Sequence, residues 1–284
     1  MEEAFSMGNY LKKVKKQKGD TGVGMSVTMR SYGIQKIFDL HFKKEYKEET
    51  LFIAASIFDR YINIIGVGNF NKNLTIHLAT ISVLMSAKLE QPISPSFTRM
   101  INLLAPEEKK NVTKPSLIEI EQDILVKLGF DFNFPGPIQT LERFLRLVNY
   151  DLNRTVFDMG FQICKFQLND ARFLDYRPSQ IAACSMILSI NIFEEDNQKN
   201  NPTFFKKPKN GKKELNTDIW NNEDVTSISG YSINDLKDCL FDLSEFISTM
   251  LSPNRLESFD LDAIKKLEPF NEIPNNLGLN LKNL

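Results

Sequence analysis

At 284 residues the chain is longer than one ordinary domain needs, and with 42% hydrophobic residues it can fill more than one core. Its 35 basic and 36 acidic residues leave a formal net charge of -1, which excludes a global field drawing the protein onto nucleic acid or an anionic membrane. The three cysteines, Cys164, Cys184 and Cys239, are widely spaced among apolar neighbours; this argues against a disulfide framework and suits reduced core thiols of a cytosolic or nuclear protein.

Residues 1–18 set Phe5, Met7, Tyr10, Leu11 and Val14 among lysines and predict a short amphipathic helix, which the Gly-rich run from Gly19 to Gly24 ends in a turn at about residue 25. From there helical periodicity dominates. Apolar residues recur three and four apart in Ile34, Ile37 and Phe38, in Leu51, Ala54, Ala55, Phe58, Tyr61 and Ile62, and in Leu117, Ile120, Ile124, Leu125 and Leu128. No strand-like alternation is sustained between turn signals, so an all-α fold is expected. Leu78–Ala87 and Ile181–Ile190 are apolar or small on nearly every face, as in a helix surrounded by other helices. Each predicts the centre of its own bundle, and their matching places in the chain suggest two similar lobes in tandem, over residues 26–134 and 135–284.

Between the lobes, Gly129 stops the helix ending at Leu128, and Pro135 and Pro137 bar its continuation. In the second lobe, residues 194–218 are rich in Asn and Lys without an apolar stripe and predict an exposed insertion. Helices resume through Trp220 and from Ser232 to Leu251, followed by a polar tail. No segment reaches the roughly 18 uninterrupted apolar residues of a membrane-spanning helix. The start Met1-Glu2-Glu3-Ala4 lacks the basic residues of a secretory signal. The expectation is a soluble protein of the nucleus and cytoplasm, with no membrane partner.

Catalytic chemistry finds little footing. The two histidines, His41 and His77, have no Cys, Asp or second His at metal-ligand spacing. The run Gly19–Ser26 lacks the Lys-Ser or Lys-Thr of a phosphate loop, and no strand precedes it. No nucleophile, metal site or cofactor is called for, and the chain is read as a binding protein.

The informative anomalies are charges beside apolar helix faces. Positions 117, 121, 124 and 128 share one stripe, which sets Glu121 among Leu117, Ile124 and Leu128. Lys88 ends the all-apolar helix of the first lobe, either as a C-terminal cap or as a binding residue. Asp59 lies beside the stripe of Ala55, Phe58 and Ile62, and Arg30 opens the first helix of that lobe; if both are buried they should pair.

The order of motifs adds to this reading. Met29-Arg30, Glu49–Ala54 with Phe58-Asp59-Arg60-Tyr61, Ser86-Ala87-Lys88-Leu89-Glu90 before Pro95, and Ile120–Leu125 with Leu128–Phe132 follow one another in residues 27–146 as in the cyclin box, which they resemble. In the second lobe Tyr176–Ala183 and Leu236–Leu240 resemble the C-terminal fold of the mitotic and S-phase cyclins. The likeness covers most of the chain apart from its N-terminal helix and the Asn/Lys insertion. It implies tandem five-helix cyclin folds and a regulatory subunit that binds and activates a cyclin-dependent protein kinase, with all phosphoryl-transfer groups on the kinase. In that family the lysine and glutamate at the positions of Lys88 and Glu121 hold the kinase's mobile helix and its neighbouring loop, and Met85, Leu89, Leu125 and Phe130 match apolar members of that surface. For these four the alternative is core packing.

The chain also departs from the family pattern. Members that recruit substrates through Arg-x-Leu peptides use a patch on the first helix, but the positions matching its leucine and tryptophan are Gly33 and Lys36, so Met29 alone remains. No Arg-x-x-Leu destruction box or Lys-Glu-Asn sequence occurs. The alternative function is a cyclin-fold scaffold or transcription-factor-like adaptor, against which the near-neutral charge argues where nucleic acid is the partner.

Overall fold

The computed structural model describes residues 20–66, 71–132, 134–200, 220 and 223–250. All regular structure among the described residues is helical. The chain divides into two compact units, one comprising residues 1–136 with 168–175 and the other residues 137–167 with 176–284.

The first unit contains α1 (Asp20–Lys44), α2 (Glu48–Ile65), α3 (Lys72–Glu90), two short helices α4 (Phe97–Ile101) and α5 (Pro106–Lys109), and α6 (Lys114–Lys127). Its centre is α3, buried almost continuously from Thr75 to Ala87 and packed on α1, α2 and α6. Of the hydroxyls that this places in the core, that of Thr80 donates to the Ile76 carbonyl at 2.7 Å and that of Ser86 to the Val83 carbonyl at 3.0 Å, while the buried Ser82 Oγ has no hydrogen-bond partner among the described residues. Local chemistry also sets the helix ends. Asn71 caps α3 by accepting from the Leu74 N–H, and Thr113 caps α6 by accepting from that of Ser116.

The second unit contains α7 (Pro137–Leu147), α8 (Arg154–Phe166), α9 (Pro178–Asn200), α10 (Glu223–Ser229) and α11 (Ile233–Met250). Here α9 is the central helix, against which α7, α8 and α11 pack. Trp220 is fully buried, stacks edge-on to Phe144 at 5.4 Å and donates its indole N–H to the Tyr231 carbonyl.

Two expectations are corrected. The residues 20–24 expected to form a turn are the first turns of α1. A glycine lowers helix propensity by about 1 kcal/mol relative to alanine, but extending an existing helix gains a hydrogen bond per residue without a new nucleus. Residues 194–200, expected to belong to an exposed insertion, instead continue α9 to Asn200, and Glu194 accepts from the Tyr150 hydroxyl at 2.7 Å. The remainder of that insertion, the helix expected over residues 1–18 and the C-terminal tail lie outside the described residues.

Candidate functional site

The stripe on α6 is formed by Leu117, Ile124 and Leu128, all buried against the first-unit core. Their spacing turns Glu121 toward α3. There Lys88, in the last turn of α3, donates from Nζ to Glu121 Oε1 at 2.6 Å, with the two side chains 36% and 16% exposed. A carboxylate and an ammonium half out of water in contact form a charge-assisted bond. Such a pair adds little stability when solvent can screen it. The Lys88 ammonium also lies over the ring of Phe97, 5.0 Å from its centroid.

Apolar side chains lie in the same stretches of chain. Leu89 follows Lys88 and is exposed, while Val126 and Phe130 are exposed at the end of α6. That end is a Schellman turn: Phe130 N–H donates to the Leu125 carbonyl and Gly129 N–H to that of Val126. Gly129 and Phe130 both have positive φ, 60° and 58°, and Phe130 is 69% exposed. Leu125 is half-buried against the core. For Met85 the free chain shows the alternative of core packing. At 5% exposure it belongs to the central cluster, because α3 is enclosed on all sides up to Ala87.

Arg30 and Asp59 come together as a buried fork. Arg30 Nε and Nη2 donate to the two Asp59 oxygens at 2.8 and 2.9 Å, and Nη1 donates to the Leu168 carbonyl at 3.0 Å. The guanidinium thus fastens α1 both to α2 and to the 168–175 segment of the same unit. Loss of one partner of such a buried pair typically costs about 3–5 kcal/mol.

The face of α1 matched to the Arg-x-Leu patch has a different chemistry. Gly33 is buried against the ring of Phe58, and Met29 is only half-buried. Lys36 pairs with Glu108 at 2.8 Å, Tyr32 donates to the same carboxylate at 2.9 Å, and the Lys36 ammonium lies 5.5 Å from the Tyr32 ring centroid. Burial acts to raise the Glu108 pKa, but the bonds from Lys36, Tyr32 and the Ala105 N–H prevail and hold it below the ordinary value. The Tyr32 hydroxyl is pushed up to about 12 by burial and by Glu108.

The remaining reactive side chains are built into the structure. All three cysteines are buried, and burial pushes the Cys164 thiol up to about 12, far from a nucleophilic thiolate. His41 bonds the Lys47 carbonyl, and His77 bonds the Asn73 carbonyl and the Ser116 hydroxyl. Sequence reasoning missed Phe97 and Glu108. Both stand on helices too short to show a period, so position relative to Lys88 or Tyr32 is their only signal.

The family model for the cyclin N-terminal domain matches residues 2–133, and that for the cyclin C-terminal domain matches residues 132–266. Among curated relatives, the G2/mitotic-specific cyclin CLB2 of Candida albicans is 26% identical over 212 residues, covering 75% of this chain and 37% of that protein. The G2/mitotic-specific cyclin-B of Emericella nidulans is 26% identical over 166 residues, covering 58% of this chain and 33% of that protein. The chain thus spans about a third of the length of these relatives. Among solved structures, a viral cyclin from herpesvirus saimiri superposes with a TM-score of 0.55 at 21% identity, covering 77% of this chain and 86% of that one. A chain of the yeast RNA Pol II CTD kinase CTDK-1 complex superposes with a TM-score of 0.57 at 15% identity, covering 87% and 74%. Both domain models together span most of the sequence, and the chain belongs to the cyclin family as a divergent member resembling the mitotic, B-type group.

Proposed function

We propose that this cyclin is the regulatory subunit of a cyclin-dependent protein kinase and grips the kinase's mobile helix and its neighbouring loop with Lys88 and Glu121. The observation that carries the reading is the half-exposed Lys88–Glu121 pair, with exposed Leu89 beside it on α3. A lysine has three donors and a carboxylate two acceptor oxygens. The mutual bond at 2.6 Å uses one of each, which leaves capacity for backbone groups of a partner. A partner that covers the pair removes the solvent that screens it and strengthens every bond made there. The kinase-complex membership of the CTDK-1 chain with this fold supports the same class of partner.

In this reading the cyclin does no chemistry. It binds the kinase conformation whose catalytic helix is turned in better than the alternative, and this differential affinity shifts the population toward the assembled active site. The test is the double variant Lys88→Ala/Glu121→Ala presented to a purified cyclin-dependent kinase. Kinase capture is abolished while circular dichroism keeps its helical signal; undiminished capture overturns the proposal. A phosphorylation assay on the captured kinase then separates activation from binding alone.

A further inference from the structure

Lys88 is held from two directions, and only one of them is a charge. Glu121 Oε1 accepts its Nζ at 2.6 Å, and the Phe97 ring has the same ammonium 5.0 Å from its centroid. That distance is inside the range of about 6 Å over which a ring quadrupole attracts a cation. The ring is itself held by the chain around it. Pro95 is buried, Ser96 caps α4 by accepting from the Arg99 N–H, and Met100 of the same helix is fully buried in the core. Phe97 packs on the core's edge, and α4 packs on both α3 and α6, the two helices that carry the Lys88–Glu121 pair.

A lysine side chain has a flexible four-carbon stem, whose rotamer freedom is lost when its ammonium is immobilised by a partner. A carboxylate alone leaves the ammonium free to pivot around an oxygen. A fixed ring on a third helix removes much of that freedom before any partner arrives. We propose that Phe97 is a positioning residue that pre-orients the Lys88 ammonium through its ring face; its functional weight rests on the reading of Lys88 as a kinase-binding residue.

The test uses Phe97→Leu and Phe97→Tyr in the full chain, with urea unfolding to verify that both fold. Leucine preserves apolar packing but has no ring quadrupole, whereas tyrosine retains it. In the free protein, the Lys88 ε-methylene resonances, assigned by their loss in Lys88→Arg, lie upfield through the ring current of Phe97. They return to the ordinary position in Phe97→Leu and stay upfield in Phe97→Tyr. Affinity for a purified cyclin-dependent kinase falls about two- to fivefold in Phe97→Leu and is restored in Phe97→Tyr. Resonances that do not move in Phe97→Leu overturn the positioning role whatever the kinase does, as does equal weakening by both variants. Undiminished capture by Lys88→Ala instead overturns the binding reading, and the resonance shift in the free protein distinguishes the two failures.

Discussion

A Cβ placed on Gly33 would lie 2.1 Å from Cζ of Phe58, so α1 and α2 approach as they do only because residue 33 has no side chain. Phe58 is fully buried, which leaves its ring no room to withdraw. Alanine at position 33 would gain about 1 kcal/mol of helix propensity, but overpacking a core typically costs about 1–3 kcal/mol. Gly33→Ala is therefore expected to lower stability in urea unfolding despite its better propensity, and Gly33→Leu to lower it further rather than to restore an apolar docking patch. Phe58→Leu in the same chain should recover part of the Gly33→Ala loss, since the two residues share one space. Additive effects would show that the contact does not govern the packing of these helices.

Glu108 gives the α1 face a pH signature. Its folded pKa is depressed by Lys36, Tyr32 and the Ala105 N–H against the opposing effect of burial. A depressed carboxyl contributes stability above its unfolded value, and that contribution is lost as pH falls through the folded value. Glu108→Gln has no charge to lose. The stability gap between the native chain and Glu108→Gln is thus expected to be widest near neutrality and to close as pH drops below the ordinary value of 4.5. Urea midpoints across an acid series measure it; a gap independent of pH would mean the charge contributes nothing.

The long elements of this fold were legible in sequence because they repeat a signal many times. The apolar enclosure of Leu78–Ala87 marks α3 as central, and the stripe through Leu117, Ile124 and Leu128 orients Glu121 correctly. The mutual bond of Lys88 and Glu121 was not legible, since spacing places a residue on a face but does not say what lies across from it. Met85 shows the same limit: on a helix apolar all round, periodicity cannot separate core from surface. Gly33 was visible as a departure, but its cause, the Phe58 ring, is 25 positions away in the chain. Phe97 and Glu108 belong to helices of five and four residues, where no period can form.

Phe130 separates stability from binding. A bulky residue in the left-handed region costs about 1–2 kcal/mol, and Phe130 sits there at φ 58° with its ring exposed. The fold gains little from that ring, which is consistent with strain retained for a partner. Phe130→Gly is expected to raise stability by up to about 1 kcal/mol and to weaken kinase capture. Phe130→Ala keeps the strain and removes the ring, so it should weaken capture to the same degree without the gain in stability. Capture unchanged in both variants would remove Phe130 from the proposed kinase surface.

A charge swap separates the two roles of the central pair. In Lys88→Glu/Glu121→Lys an ion pair can re-form across α3 and α6 with its ends exchanged, so a purely structural bridge would be rescued. Half-exposed ion pairs contribute about 0–1 kcal/mol, and the swapped chain should unfold within that margin of the native one. A partner, by contrast, reads the ammonium at the end of α3 and the carboxylate on α6 as a donor and an acceptor at fixed places. Exchanging them sets donor against donor and acceptor against acceptor across the interface, which costs more than deleting either group. The swapped chain is therefore expected to remain folded and to capture kinase no better than Lys88→Ala/Glu121→Ala. Recovery of capture on swapping would assign the pair to architecture and remove it from the proposed kinase contact.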